Sequence, residues 1–235
     1  MKENNTDYTT KTKASIVTLG ADLVGIADTK PLKELRLNPP DLLDHFHRAI
    51  SIALALPNAV LEQIVDQPTP LYLSAYQTAN RILDEIAFHT AAIIQGDGFK
   101  ALPIPASQVL DTVDWHGGIS HKAVARMAGL GWQGKSLLVV TPQYGPRIRL
   151  VTVLTDAPLH SNSPVKNLCG ECTLCRDACP AEAIKGVGTK DFYKSREEAL
   201  YFTRCVDKVV GEFSAIPSIG TPICGICIKV CPFGR

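Results

Sequence analysis

Apolar positions recur with two different periods along the first two thirds of the chain. In LYLSAYQTANRILDEIAFHTAAIIQGDGF, residues 71–99, they fall three and four apart and stop at Gly96, which predicts one long amphipathic helix. KASIVTLGADLVGIADT predicts a helix that ends near Gly20, followed by a short strand over 23–27. HRAISIALAL predicts a buried strand over 50–56 closed by Pro57, RLVTVLTD a second strand over 149–156, and SHKAVARMAGLG a shorter helix ending at Gly129 or Gly131. LLDHFHRAI places His45 and His47 two apart, on different faces of a helix and at the surface. Alternating helices and strands from about Lys13 to Pro158 predict an α/β or α+β layer around one sheet. The polar, proline-bearing HSNSPVKN, residues 160–167, is the natural joint, so the sequence divides into 1–160 and 161–235.

Composition narrows the setting. With 235 residues, 46% hydrophobic and 20% charged, the chain can bury a substantial core. A formal charge of +1 gives no global attraction to nucleic acid or to an anionic membrane. AISIALALP, residues 49–57, is far shorter than the ~20 apolar residues of a spanning helix. The opening MKENNTDYTTKTK lacks the apolar centre of a signal peptide. These features predict a soluble, cytoplasmic protein with no membrane partner, and in a reducing compartment the eight cysteines are not expected to form disulfides.

All eight cysteines lie between Cys169 and Cys231. Cys169, Cys172, Cys175 and Cys179, followed by Pro180, form the C-x2-C-x2-C-x3-C-P run of bacterial ferredoxins. Three cysteines on one tight loop can wrap one face of a cubane; the fourth cannot bend back and reaches a second cluster. Cys224, Cys227, Cys231 and Pro232 repeat the second half of the run, with Thr221 where a further cysteine would stand. Cys205, separated from Cys224 by eighteen intervening residues within a helical insert, is the one cysteine left to complete the count. The expected sets are Cys169, Cys172, Cys175 and Cys231 on one [4Fe-4S] cluster, and Cys179, Cys205, Cys224 and Cys227 on the other. Zinc is the alternative, but a tetrahedral site leaves a surplus cysteine in each run. Ten basic against eight acidic residues from Ser161 onward become a net negative module once each oxidised cubane adds about −2. ACPAEAI, residues 178–184, predicts a helix beside the cluster whose apolar side chains shield sulfur.

AVARMAGLGWQGKSLLVV, residues 123–140, then YGPRIRLVTVLTDAPL, residues 144–159, and then the ferredoxin run resemble the cobalamin-dependent epoxyqueuosine reductases and the related reductive dehalogenases. The resemblance covers most of the chain from about Ala49. It implies an α+β protein: a nitroreductase-like α/β domain that binds a corrinoid, and a C-terminal two-[4Fe-4S] ferredoxin-like domain, with base-off cobalamin between them. Gly129, Gly131 and Gly134 would allow backbone to approach the macrocycle, Trp132 would serve as a platform, and Lys135 and Ser136 would bind a propionamide or the phosphate tail.

Counting back to the family's catalytic aspartate reaches Trp115, with Asp114 one residue away. Asp114, His116, His121 and Tyr144 are the candidate proton donors. DWHGGI also approaches a cobalt-ligating D-x-H-x-x-G pattern, with Ile119 in place of the glycine. Family members continue beyond the last cluster into a helical-repeat domain that helps hold tRNA, whereas this sequence stops at Arg235, so tRNA is not expected as a partner. The expected function is electron transfer from the clusters, themselves charged by a low-potential donor, to cobalamin. The chain would act as a corrinoid reductase or as a small corrinoid-dependent reductase of a small-molecule substrate. The alternatives are a ferredoxin-type carrier without corrinoid and a flavin-dependent reductase.

Overall fold

The computed structural model describes residues 5–189 and 191–234. The first four residues of the leader reading, and Lys190 and Arg235 of the C-terminal charge count, lie outside the described residues. The chain divides into two compact units. Unit 1 comprises Met1–Leu54, Ala79–Leu130 and Arg149–Val165; unit 2 comprises Ala55–Thr78, Gly131–Ile148 and Lys166–Arg235.

Unit 1 is built on a four-stranded sheet in the order β1-β2-β6-β3. Its strands are β1 (Leu23–Asp28), β2 (Arg48–Ala55), β3 (Ala101–Ile104) and β6 (Ile148–Thr155). β1 pairs antiparallel with β2, with Ile26 opposite Ile50, and β3 pairs antiparallel with β6, with Leu102 opposite Leu154. Because side chains alternate across a strand, Ile50 and Ile52, and Val151 and Val153, turn to the same face. That face is covered by α1 (Asn5–Thr18) and α3 (Pro70–Gly96), which deliver Tyr8 and Ile16, and Leu83, Ile86, Ala87, Ala91 and Ile94. The α3 residues recur at three- and four-residue spacing, the stripe a helix needs to line one core. Residues 41–45, holding His45, form turns and not a helix, and both His45 and His47 are exposed.

The other face of the sheet receives α4 (His121–Met127). Ser120 caps this helix, its Oγ accepting from the Ala123 N–H at 3.3 Å. Gly25 permits the close approach: a Cβ there would meet the carbonyl oxygen of Ala128 and come within 2.9 Å of Leu130 Cδ2. His121 latches the helix to the sheet. Its Nε2 lies 3.0 Å from the Pro105 carbonyl, which can only accept, so Nε2–H donates and Nδ1 accepts from the Thr152 hydroxyl at 2.7 Å. Burial pushes the imidazole pKa down to about 4, and the nearby Arg149 adds to the shift while the Pro105 carbonyl and Asp84 oppose it.

Unit 2 holds the two-stranded pairing of β4 (Trp132–Gln133) with β5 (Val139–Val140) and several short helices. α2 (Asn58–Glu62) contacts α8 (Ile226–Lys229), and α8 contacts α5 (Leu174–Asp177). α5 and α8 start two residues after Cys172 and Cys224, so the half-repeat of the sequence is a repeat of structure. The insert between them forms α6 (Arg196–Ala199), α7 (Phe202–Val206) and a π-helical turn over 207–213. The expected helix over 178–184 does not form: Glu182 takes φ 47°, a left-handed conformation that cannot propagate a helix, and Ile184 instead bridges to Leu200. Among the described residues no helix is long and apolar enough to cross a membrane.

Gly25→Ala should destabilise the protein by about 2 kcal/mol or more through overpacking against α4, measurable as a lower denaturation midpoint. A neutral His121 in the fold against an unfolded value near 6.5 stabilises the fold fully above pH 6.5. That contribution, on the order of 3 kcal/mol, is lost as pH falls towards 4. The difference in stability between wild type and His121→Gln should therefore shrink across that window; a constant difference would contradict the latch.

Candidate metal centre

The eight cysteines of unit 2 are half-buried free thiols. Their mutual electrostatics sort them into two sets. Burial pushes the Cys175 thiol up to about 11, with Cys169, Cys172 and Cys231 adding to the shift. Burial also raises Cys231, against the Phe233 N–H and Arg147, with Cys169 and Cys172 adding. Cys224 is pushed up to about 11 by burial, with Cys205 and Cys179 adding against the Ile226 N–H. Cys227 is raised by burial and by Cys224, Cys205, Cys175 and Cys179. Cys175 and Cys231 thus interact with Cys169 and Cys172, and Cys224 and Cys227 with Cys205 and Cys179, while Cys175 also acts on Cys227, so the two groups adjoin.

The surroundings suit clustered thiolates. Trp132 Nε1–H points at Cys169 Sγ at 3.4 Å, and the Ala183 N–H points at Cys179 Sγ at 3.3 Å. Hydrogen bonds to sulfur stabilise the anionic ligand and tune cluster potential. Asn167 ties the first cysteine loop to the hairpin, accepting from the Cys169 N–H at 2.9 Å and donating to the Gln133 carbonyl at 2.9 Å. Gln133 Oε1 accepts from the Tyr193 N–H. An apolar cluster of Leu137, Ile184, Tyr193, Ala199 and Leu200 packs on Cys175, Cys179 and Cys227, so Ile184 shields sulfur without a helix beneath it. Arg147 donates to the carbonyls of Lys229 (2.9 Å), Cys231 (2.8 Å) and Phe233, fixing the segment that carries Cys231. Two sets of four thiols, supplied with N–H donors and an apolar shell, are a fitting environment for two [4Fe-4S] clusters. The sequence reading found every cysteine but missed Arg147, Asn167, Gln133 and Tyr193; no local pattern marks them, since each acts through a partner distant in sequence.

The residues assigned to the corrinoid have other engagements. Gly129, at φ 71°, closes α4, and a Cβ there would lie 2.6 Å from the Ser163 carbonyl oxygen. A Cβ at Gly131 would strike the Val140 carbonyl, and one at Gly134 would come within 2.8 Å of Val140 Cγ2 and 3.7 Å of Cys169 Sγ. Trp132, 1% exposed, stacks edge-on against Phe233. Lys135 is 6% exposed and donates to the Cys172 carbonyl at 3.0 Å. Ser136 is half-buried. Packing around the first cysteine loop accounts for residues 131–135, and these residues do not offer a free cradle for a macrocycle.

The candidate proton donors fall in both units. Asp114 and Asp111 share Arg36, whose Nη1 and Nη2 donate to them at 2.7 and 2.6 Å. The N–H groups of Asp114 and Val113, and then Arg36, hold the Asp111 carboxyl below its usual range. The His116 backbone closes this loop by pairing with Asp111, while Trp115 takes φ 56°. His121 is the neutral latch described above. Tyr144 lies in unit 2, in the turn between β5 and β6, where its N–H donates to Thr141 Oγ1.

Residues 168–234 match the family described as a 4Fe-4S double cluster binding domain. Over 211 residues the chain is 28% identical to the epoxyqueuosine reductase of Listeria monocytogenes, an alignment covering 87% of this chain and 53% of that protein. The chain thus spans about half the length of that relative. The catabolic reductive dehalogenase NpRdhA superposes with a TM-score of 0.77 at 22% identity, covering 99% of this chain and 32% of that one. An epoxyqueuosine reductase solved with an epoxyqueuosine-modified tRNA stem loop superposes with a TM-score of 0.66 at 23% identity, covering 98% and 66%. The expectation that tRNA is no partner, drawn from neutral charge and from where the sequence stops, is overturned by these relatives, one of which holds a tRNA stem loop. The chain is similar in sequence to epoxyqueuosine reductases over most of its length, shares a mixed α/β fold with a reductive dehalogenase, and carries a 4Fe-4S double cluster binding domain in its C-terminal part.

Proposed function

We propose that the chain is an iron–sulfur oxidoreductase of the epoxyqueuosine reductase kind, acting on an epoxide-bearing nucleoside of tRNA. The observation that carries this reading is the grouping of eight cysteines in unit 2 of a chain that aligns over most of its length with such reductases. Converting an epoxide to an alkene takes up two electrons and two protons and releases water. Each cubane passes one electron, so two clusters together hold the pair that one turnover consumes. Cys169, Cys172, Cys175 and Cys231 hold one cluster in this proposal, and Cys179, Cys205, Cys224 and Cys227 the other. Trp132 and Arg147 order the first set; Ile184 and Leu200 keep water from sulfur.

A base-off cobalamin, which the resemblance implies together with a nitroreductase-like unit 1, would supply a low-potential metal centre for the organic step. Asp114 is the strongest of the proton-handling candidates: its carboxylate is half-exposed and oriented by Arg36. His121 is the weakest, because its Nε2–H is committed to Pro105.

Two measurements test the reading. Cys205→Ser should lower iron from about eight to about four per chain while keeping the signal of the first cluster; unchanged iron would remove Cys205 from the ligand set. Reconstituted anaerobically and supplied with cobalamin, a low-potential reductant and epoxyqueuosine-containing tRNA, the protein should convert the epoxide, as read by nucleoside mass spectrometry. Fully iron-loaded protein that leaves the nucleoside unchanged would contradict the proposed substrate.

A further inference from the structure

A buried lysine beside a cysteine loop is unexpected, since an ammonium ion is costly to bury without a compensating negative charge. Lys135 is 6% exposed, its Nζ donates to the carbonyl of Cys172, and Gly188 lies over its stem, where a Cβ would sit 3.7 Å from Cε. Among the described residues no carboxylate forms an ion pair with it. Arg147, 4% exposed, lies against the same set of thiols through the Cys231 carbonyl. Around the second set the corresponding cation is Lys208, which is more exposed and is paired with Glu212. Positive charge near the two sets is therefore unequal: buried and with no carboxylate partner among the described residues at Lys135, offset by an ion pair at Lys208.

Reduction adds one negative charge to a cubane, and a buried cation favours the reduced state with little screening by salt. We propose that Lys135, with Arg147 beside the same set, raises the reduction potential of the cluster held by Cys169, Cys172, Cys175 and Cys231 above that of its neighbour. An electron delivered to either cluster then comes to rest on the first one, from which it leaves for the acceptor. Lys135 is in this account a potential-setting residue that touches neither substrate nor acceptor. The inference rests on the assignment of the four cysteines to one cluster.

The test is a redox titration followed by EPR on the full chain, anaerobically reconstituted, for wild type, Lys135→Gln and Lys135→Arg. The same substitutions combined with Cys205→Ser identify which midpoint belongs to the first cluster. In K135Q the reduced-to-oxidised ratio of that cluster at a fixed potential should fall at least tenfold, a midpoint 59 mV lower for a one-electron couple. The other midpoint should stay in place and K135R should restore the first. Unmoved midpoints, equal shifts in both clusters, or a K135R variant as altered as K135Q would overturn the proposal. Should K135Q fail to retain iron, Lys135→His gives the readout. Its first midpoint should fall as pH rises through the imidazole titration while wild type stays flat, and a flat midpoint in K135H would overturn the proposal. Wild-type protein that never forms two clusters would refute the cluster assignment itself, whereas two intact clusters with unmoved midpoints refute only the role of Lys135.

Discussion

Eight thiols brought together inside one small unit impose the constraint from which the rest of unit 2 follows. Burial is the main reason that Cys175 and Cys224 are pushed up to about 11, and the neighbouring cysteines add to it because thiolates repel one another. Such a grouping is tolerable only if positive charge and N–H dipoles are supplied. Iron held as clusters would provide most of it. The protein provides the rest: Trp132 at Cys169, the Ala183 N–H at Cys179, and the cations Lys135 and Arg147 at the first set. The short helices α5 and α8, each starting two residues after a cysteine, repeat one local solution around the two sets. Segments from three parts of the chain are needed because no single loop carries both the thiols and their compensation.

Unit 1 solves a different problem. Its sheet is covered on one face by α1 and α3 and on the other by α4, so the strands must be apolar on both sides, as the nearly continuous burial of β2 and β6 shows. Several polar groups inside this unit act as latches, whereas the buried Ser51 and Thr90 hydroxyls have no hydrogen-bond partner among the described residues. His121 joins Thr152 and the Pro105 carbonyl, Arg149 joins Asn80 and Ser107, and Asp84 accepts from the Ala106 N–H. Together they fix the segment that leads into residues 111–118, where Arg36 holds Asp111 and Asp114. A loop held at its base and bound by a guanidinium presents a carboxylate at a defined place, which is what a proton-handling role requires.

Much of this was readable in the sequence, for reasons that differ between regions. α3 was legible because 27 residues of regular spacing leave no other period, and β1, β2 and β6 because short apolar runs are bounded by Gly, Pro or Asp. The cysteine run was legible because ligand spacing is dictated by the geometry of the cluster and not by the fold. The segment 178–184 misled because its composition favours helix while Glu182 adopts a left-handed conformation set by tertiary packing. His45 and His47 are exposed, as read from the sequence, but they lie in the turns that lead into β2 and not on a helix. The AGLGWQGK stretch, residues 128–135, was legible as special but not in what it touches. Gly131, Trp132, Gly134 and Lys135 press on Val140, Phe233, Cys169 and Cys172, partners 6 to 101 positions away that local spacing cannot reveal.

The claim at the centre is that the eight cysteines hold two cubanes four and four. Iron and acid-labile sulfide counting with Mössbauer and EPR spectroscopy of the anaerobically reconstituted protein tests it most directly. About eight irons and eight sulfides per chain, in two [4Fe-4S] centres that become magnetically coupled when both are reduced, is the predicted result. About four irons, or zinc bound at stoichiometry in their place, would contradict it.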